Sequence, residues 1–219
     1  MTDWGDDVGV RLPGGNVGGA WLVGDTVRRT TGPWSPAVHA LLQHLEDRGL
    51  GGVPRFLGHD DLGREVLTYL PGRVVDVDHD ELTDAQLVDM VAWTRRLHDA
   101  LAGFEHPGPW RFPGPDAPTT LGHNDIAPYN VCFESDRLAG VFDWDLAGPT
   151  TALLELGMLA WTAVPLFREV PDADVVRRLR LIARPTAECR RRRCWKPASS
   201  GRSWRSTASP PQWPQVTRA

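Results

Sequence analysis

The chain of 219 residues has one lysine, Lys196, and none before it. Any site in the first 195 residues that needs a fixed positive charge must take arginine, a planar fork of donors rather than a compact point charge. Cysteine is scarce too. Cys132, Cys189 and Cys194 make no even set and no C-x-x-C pair. That argues against a disulfide framework or a structural zinc site, and for a reducing, cytoplasmic location. The longest greasy run, "TALLELGMLAWTAVPLF", carries Glu155 inside it and a proline near its end. It therefore reads as a buried helix and not as a membrane span. The opening "MTDWGDDVGV" is acidic and lacks an apolar core, so it does not read as a secretory signal.

Charge is present in abundance but is unevenly placed. Residues 1–183 carry 27 acids against 15 arginines, a balance of −12. Residues 184–219 carry nine basic residues against Glu188 alone, a balance of +8. This last segment holds one aliphatic core-former, Val216, and no helix or strand period. Disorder is the physical expectation. Its Arg, Ser, Pro, Trp and Ala are what an out-of-frame reading of a GC-rich gene gives, so a frameshift or sequencing error near Ile182 to Arg184 is expected. The rival is a basic arm built on "CRRRRCWK". Neither nucleic acid nor a membrane is the expected partner.

"DVGVRLPGG" and "AWLVGDTVRRT" predict short strands, and "PRFLGHD" and "REVLTYL" predict two more around a turn at Asp61-Leu62-Gly63. Between these pairs, "WSPAVHALLQHLEDRGL" predicts a helix. Ser35 suits the N-cap, Pro36 the first helical position and Gly49 the stop, and Val38, Leu41, Leu42 and Leu45 form one apolar stripe. "PGRVV" breaks the pattern. From Leu82 the period becomes helical, with Thr83 and Gln86 at capping-box spacing. Leu87, Met90, Val91, Thr94, Leu97, His98 and Leu101 share a face, and His98 is expected to be a hydrogen-bonded structural histidine. The Pro/Gly-rich "EHPGPWRFPGPDAPTT" reads as a surface connection. Then follow "LGHNDIAPYNVCF", a turn at "ESDRLAG", a strand "GVFDWD", a helix from about Ala152 and a helix start in "VPDADVVRRLRLI". Strands with one helix, then helices with an inserted hairpin, predict an α+β protein of two lobes rather than alternating βαβ units.

The chemistry sits at the rims of two short apolar runs. Asp125 and Asn130 flank Pro128, so they lie on a shaped loop and not inside a helix. The strand after Asn130 returns through a hairpin, which brings Asn130 and Asp143 to neighbouring strand ends. An amide oxygen and a carboxylate there suit Mg²⁺, a hard cation that takes oxygen ligands and keeps several waters. Asp125 stands apart, free to face a nucleophile. One carboxylate for a proton and an Asp/Asn pair for a metal is what phosphoryl transfer needs, since positioning and charge neutralisation do most of the work.

"HNDIAPYN" followed by "FDWDLAGP" resembles the aminoglycoside phosphotransferase family, which includes choline-kinase-like and other small-molecule kinases; the resemblance spans roughly residues 10–182. It implies a two-lobed, protein-kinase-like fold. Residues 1–71 would form an N-lobe of antiparallel sheet plus one helix. Residues 72–183 would form a mostly helical C-lobe with a catalytic hairpin, cut short before the 184–219 tail. The resemblance also implies ATP as donor, Mg²⁺, and a hydroxyl of a small molecule as acceptor. On the same ground Asp125 is the catalytic base and His123 orients its loop. Asn130 and Asp143 hold Mg²⁺, Asp145 supports that site, and Glu155 is structural. Backbone groups of Thr68, Tyr69 and Leu70 would read the adenine edge.

The chain departs from the family at several points. Asn124 stands where a glycine is usual, and asparagine tolerates a left-handed backbone. "PGGNVGGAW" lacks G-x-G-x-x-G. With no lysine available, Arg28 or Arg29 must grip phosphate; adjacent strand residues face opposite sides, so only one can. The acid that would pair with that arginine from the helix is also missing: His39, Gln43 and Glu46 share a stripe, and only Glu46 is acidic. The rival to an active kinase is a pseudokinase that binds nucleotide without transfer. A metal-dependent glycosyltransferase, reading "DWD" as a metal motif, leaves Asp125 and Asn130 unexplained.

Overall fold

The β-rich start of the chain folds into one antiparallel sheet. The structure, a computed structural model, describes residues 9–12, 19–77 and 79–184. Strands β1 (Val10–Arg11), β2 (Ala20–Val23), β3 (Thr26–Arg29), β4 (Phe56–His59) and β5 (Glu65–Thr68) lie in the order β1-β2-β3-β5-β4. The β2–β3 turn is made by Gly24, at φ +60°, and Asp25. In the β3–β5 register Arg28 lies opposite Val66 and Arg29 opposite Glu65. Most of the expected glycine loop, residues 13–18, lies outside the described residues, as does the expected tail beyond Arg184.

Helix α1 (Ser35–Asp47) crosses from β3 to β4, with Val38, Leu41, Leu42 and Leu45 buried as the stripe required. Its start differs from expectation. Trp34, not Ser35, is the N-cap, and no side chain caps the helix. The Ser35 hydroxyl instead accepts the Gly32 N–H at 2.9 Å, because the chain turns one residue earlier. Gly49, at φ +69°, ends the helix as expected.

"PGRVV" is not a plain break. Arg73–Val74 form a short strand, β6, against β8 (Val131–Glu134), a partner nearly sixty residues away that local pattern does not reveal. Helix α2 (Asp84–Ala100) begins with the expected capping box between Thr83 and Gln86. Leu87, Met90, Val91, Trp93 and Leu97 make it the centre of the core, and the Trp93 indole N–H donates to the Gly51 carbonyl, tying the helix to the loop after α1. Strand β8 pairs with β9 (Arg137–Val141) around Ser135-Asp136. The β9 strand stops before Asp143, which takes a left-handed backbone at φ +60°, so only Gly140 and Val141 of "GVFDWD" are strand. Two three-residue strands, β7 (Thr120–Gly122) and β10 (Gly148–Thr150), pair antiparallel.

Helices α3 (Ala152–Ala163) and α4 (Asp172–Ala183) complete the described residues. Helix α3 is not the buried helix its apolar run suggested. Glu155, Leu159 and Ala163 are buried, whereas Leu153 is 77% and Trp161 50% exposed. α2, α4 and β7 cover one side of it and, among the described residues, the other side is open. No described helix is long and apolar enough to cross a membrane.

Candidate active site

The β7–β10 ladder draws the two sequence motifs together. His123, Asn124 and Asp125 leave the end of β7, and Asp143 to Ala147 lead into β10, with Gly122 directly opposite Gly148. On the other side, the β8–β9 hairpin pairs Val131 with Val141, and the Phe142 N–H donates to the Asn130 carbonyl at 3.0 Å. Asn130 is therefore held one residue, and Asp143 two, from the Val131–Val141 rung.

Buried groups shape the loop that carries Asp125. His123 is wholly buried; its Nε2 lies 3.0 Å from the Phe142 carbonyl, and its Nδ1 accepts the Asp125 N–H at 3.3 Å. That pattern fits a neutral ring with its proton on Nε2, and burial pushes the imidazole below its ordinary value. Its edge meets the buried Trp144 ring at 4.6 Å between centroids. Asn124 sits at φ +65°, as a residue in a glycine-type position must, and its side-chain amide donates to the Leu146 and Gly148 carbonyls. Beneath the loop, Glu155 accepts the backbone N–H groups of both His123 and Asn124 and pairs with His98. Burial alone would raise the Glu155 carboxyl; His98 and the Asn124 N–H outweigh it and hold the carboxyl below the usual range. His98 is thus the hydrogen-bonded histidine expected of it.

Asp125 is half-buried. Tyr129 Oη donates to its Oδ1 at 2.9 Å, and the Asn130 amide nitrogen donates to its Oδ2 at 2.9 Å and to its carbonyl at 3.1 Å. Burial raises the Asp125 carboxyl above its ordinary value against the pull of these donors. The Tyr129 phenol is likewise pushed up, by burial and by the charge of Asp125. With its nitrogen committed to Asp125, Asn130 has its carbonyl oxygen to offer a ligand.

The two arginines separate as alternation requires. Arg28 lies 3.6 Å from Asp60 on one side of the sheet. Arg29 faces the motifs: its Nε lies 2.9 Å from Glu65, its NH1 donates to Asp143 at 3.1 Å, and its NH2 pairs with Asp145. Burial would lower the Arg29 pKa, but Asp145, Glu65 and Asp143 outweigh it and hold the guanidinium charged. Burial raises the Asp145 carboxyl, with Arg29 opposing. Arg111 reaches Asp145 from beyond it, at 3.0 Å, and lies 4.6 Å over the Trp34 ring. At the end of β5, the Thr68 N–H donates to the Arg55 carbonyl at 3.0 Å, the Thr68 hydroxyl accepts the Arg55 N–H at 2.9 Å, and the Tyr69 N–H donates to the Asp25 carbonyl at 2.9 Å. A cavity of about 370 Å³ lies against Thr68, Tyr69 and Leu70 and the loop after α1; Arg29, Asp125 and Asp143 do not line it.

Several of these residues escape sequence reasoning. Glu65 meets Arg29 only through strand register. Arg111 lies in a Pro/Gly-rich stretch that reads as surface connection, and no local signal aims it at Asp145. Tyr129 was legible by position alone, four residues after Asp125. No cluster of three His, Cys, Asp or Glu side chains stands ready for a metal among the described residues.

A five-stranded antiparallel sheet with one crossing helix, set on a helical lobe whose hairpin presents Asp125, Asn130 and Asp143, defines the protein-kinase-like class. The sequence matches the phosphotransferase enzyme family, APH, over residues 28–115 and 110–192, and the chain belongs to that family. It is 34% identical over 166 residues to the trifolitoxin immunity protein of Rhizobium leguminosarum bv. trifolii, across 72% of this chain and 61% of that protein. The chain thus spans about three-fifths of that relative's length. Among solved structures it is similar to the amicoumacin kinase hAmiN in complex with AMP-PNP, Ca²⁺ and Ami, with a TM-score of 0.57 at 11% identity over 81% of this chain and 72% of that one. It is also similar to an aminoglycoside phosphotransferase from Streptomyces rimosus in complex with ADP and streptomycin, at 0.55 and 12% identity over 85% and 90%. A choline/ethanolamine kinase family protein from Mesorhizobium loti gives 0.52 and 19% identity over 77% and 68%. These likenesses establish the fold.

Proposed function

We propose that this protein is an ATP-dependent phosphotransferase that moves the γ-phosphate to a hydroxyl of a small molecule. The observation that carries the reading is the convergence of Asp125, Asn130 and Asp143 on one hairpin, with Arg29 reaching Asp143 from the sheet. Asp125 accepts the proton of the acceptor hydroxyl as its oxygen attacks phosphorus. His123 is a positioning residue that holds the loop without touching substrate. Arg29 grips phosphate oxygens with its fork, in place of a lysine. The Asn130 side-chain amide oxygen and the Asp143 carboxylate, with Asp145 in support, are hard oxygen donors that fit Mg²⁺. Bound there, Mg²⁺ would neutralise charge on the transferring phosphoryl group. With the Thr68 and Tyr69 N–H groups given to Arg55 and Asp25, the Tyr69 carbonyl and the Leu70 backbone are the groups of this segment that would read the adenine edge.

One observation favours a second reading, a pseudokinase that binds nucleotide without transfer: both terminal nitrogens of Arg29 are already engaged by Asp143 and Asp145. Titration calorimetry with Mg·ATP, followed by an ADP-release assay, separates the two. The first reading expects binding that weakens about tenfold or more in Asp143→Ala, together with slow ADP formation. Binding without any ADP formation supports the second. Binding indifferent to Asp143 overturns the metal assignment.

A further inference from the structure

The helix offers no acid to the arginine that must hold phosphate. Glu46, the acid on its stripe, lies 3.5 Å from Arg55 at an exposed edge instead. The acid that does hold Arg29 comes from the neighbouring strand. Glu65 stands directly opposite Arg29 in the β3–β5 register and is 4% exposed. Its Oε1 takes the Arg29 Nε at 2.9 Å, and its Oε2 meets His39 Nε2, from helix α1, at 2.6 Å. The His39 ring is itself fixed, stacked on Phe56 at 3.6 Å and 9° between planes.

We propose that Glu65, steered by His39, is the positioning carboxylate that aims Arg29 at the nucleotide phosphates, a duty moved from helix to strand. The proposal rests on the reading of Arg29 as a phosphate ligand. A carboxylate on Nε fixes the roll of the guanidinium plane, so both terminal nitrogens point forward, where Asp143 and Asp145 now meet them. Lysine would meet carboxylate and phosphate through one ammonium, whereas arginine gives Nε to Glu65 and keeps two terminal nitrogens in a fixed plane for phosphate. The pairing therefore suits arginine at this position. It also links helix α1 to Arg29 through the His39–Glu65 hydrogen bond. A buried ion pair with only a folding role would affect every ligand of the cleft alike; a positioning role acts on phosphate alone.

The test is calorimetry on the full chain with two probes, Mg·ATP and adenosine, with thermal melts confirming that each variant is folded. Glu65→Gln should weaken Mg·ATP about tenfold to a hundredfold and leave adenosine within about twofold. His39→Gln, which can still donate to Glu65, should bind Mg·ATP close to wild type, whereas His39→Leu should resemble Glu65→Gln. This His39 pair also decides the matter should Glu65→Gln fail to fold. Arg29→Lys should not restore the phosphate contribution. The proposal is overturned if Glu65→Gln binds Mg·ATP like wild type, if both probes weaken equally, or if the two His39 variants behave alike. In those cases wild-type Mg·ATP binding leaves the nucleotide reading standing. Wild-type protein that binds adenosine but not Mg·ATP overturns both.

Discussion

Asp125 has a working pH set by its neighbours. Burial lifts its carboxyl above the ordinary range, while Tyr129 and Asn130 pull it back by donating to the charged form. A base acts only when ionised, so the rate should fall as pH drops through this raised value, earlier than for an exposed aspartate. Tyr129→Phe removes one donor and should move the acid limb of kcat/KM to still higher pH; an unmoved limb would contradict the assignment. Glu155 works in the opposite sense. Its folded pKa is depressed, so the stability it contributes is present above its unfolded value, near about 4.3, and is lost as pH falls through the folded value. Glu155→Ala would strand two buried backbone donors and His98, at a cost of about 3–5 kcal/mol, measurable by urea unfolding at neutral pH.

Among the elements, the β7–β10 ladder decides the geometry. It is short and holds Gly122, Gly148 and Pro149, none of them a strand former, so only its nonlocal pairing makes it a ladder. This is why it escaped a reading that found α1, α2 and the β8–β9 hairpin from their local periods and caps. Gly122 has a further reason to be glycine: a Cβ there would lie 2.5 Å from Glu155 Oε2. Gly122→Ala should therefore push Glu155 off the loop and cost about 1–3 kcal/mol, with a matching loss of activity. A variant as stable and active as wild type would show that the clamp is slack. The same limit of local pattern explains β6, legible only as a break, and Ser35, whose hydroxyl serves Gly32 once the turn is made.

Across the whole molecule, one apolar cluster joins α1 to α2 and the hairpin, and Arg29 of the sheet pairs with Asp143 and Asp145. The motif residues Asp125, Asn130 and Asp143 were legible because their chemistry and spacing are local. The company of Arg29 was not, since Glu65 lies opposite it only through strand register and Arg111 meets Asp145, the partner they share, from a third segment. An acidic balance of −12 over residues 1–183 would steer a cationic acceptor, if that is what the proposed phosphotransferase takes. For such an acceptor kcat/KM should fall as salt rises from about 10 to 200 mM, while a neutral analogue changes little. Equal salt dependence for the two would remove the steering argument. The central claim is that Asp125 serves as the base of a phosphoryl transfer. The most direct measurement is Mg·ATP turnover to ADP by wild type and Asp125→Asn across a set of hydroxylated acceptors, with nucleotide affinity measured alongside. The account predicts a loss of about 10²-fold or more in turnover with affinity unchanged. Equal turnover in the two proteins would contradict it.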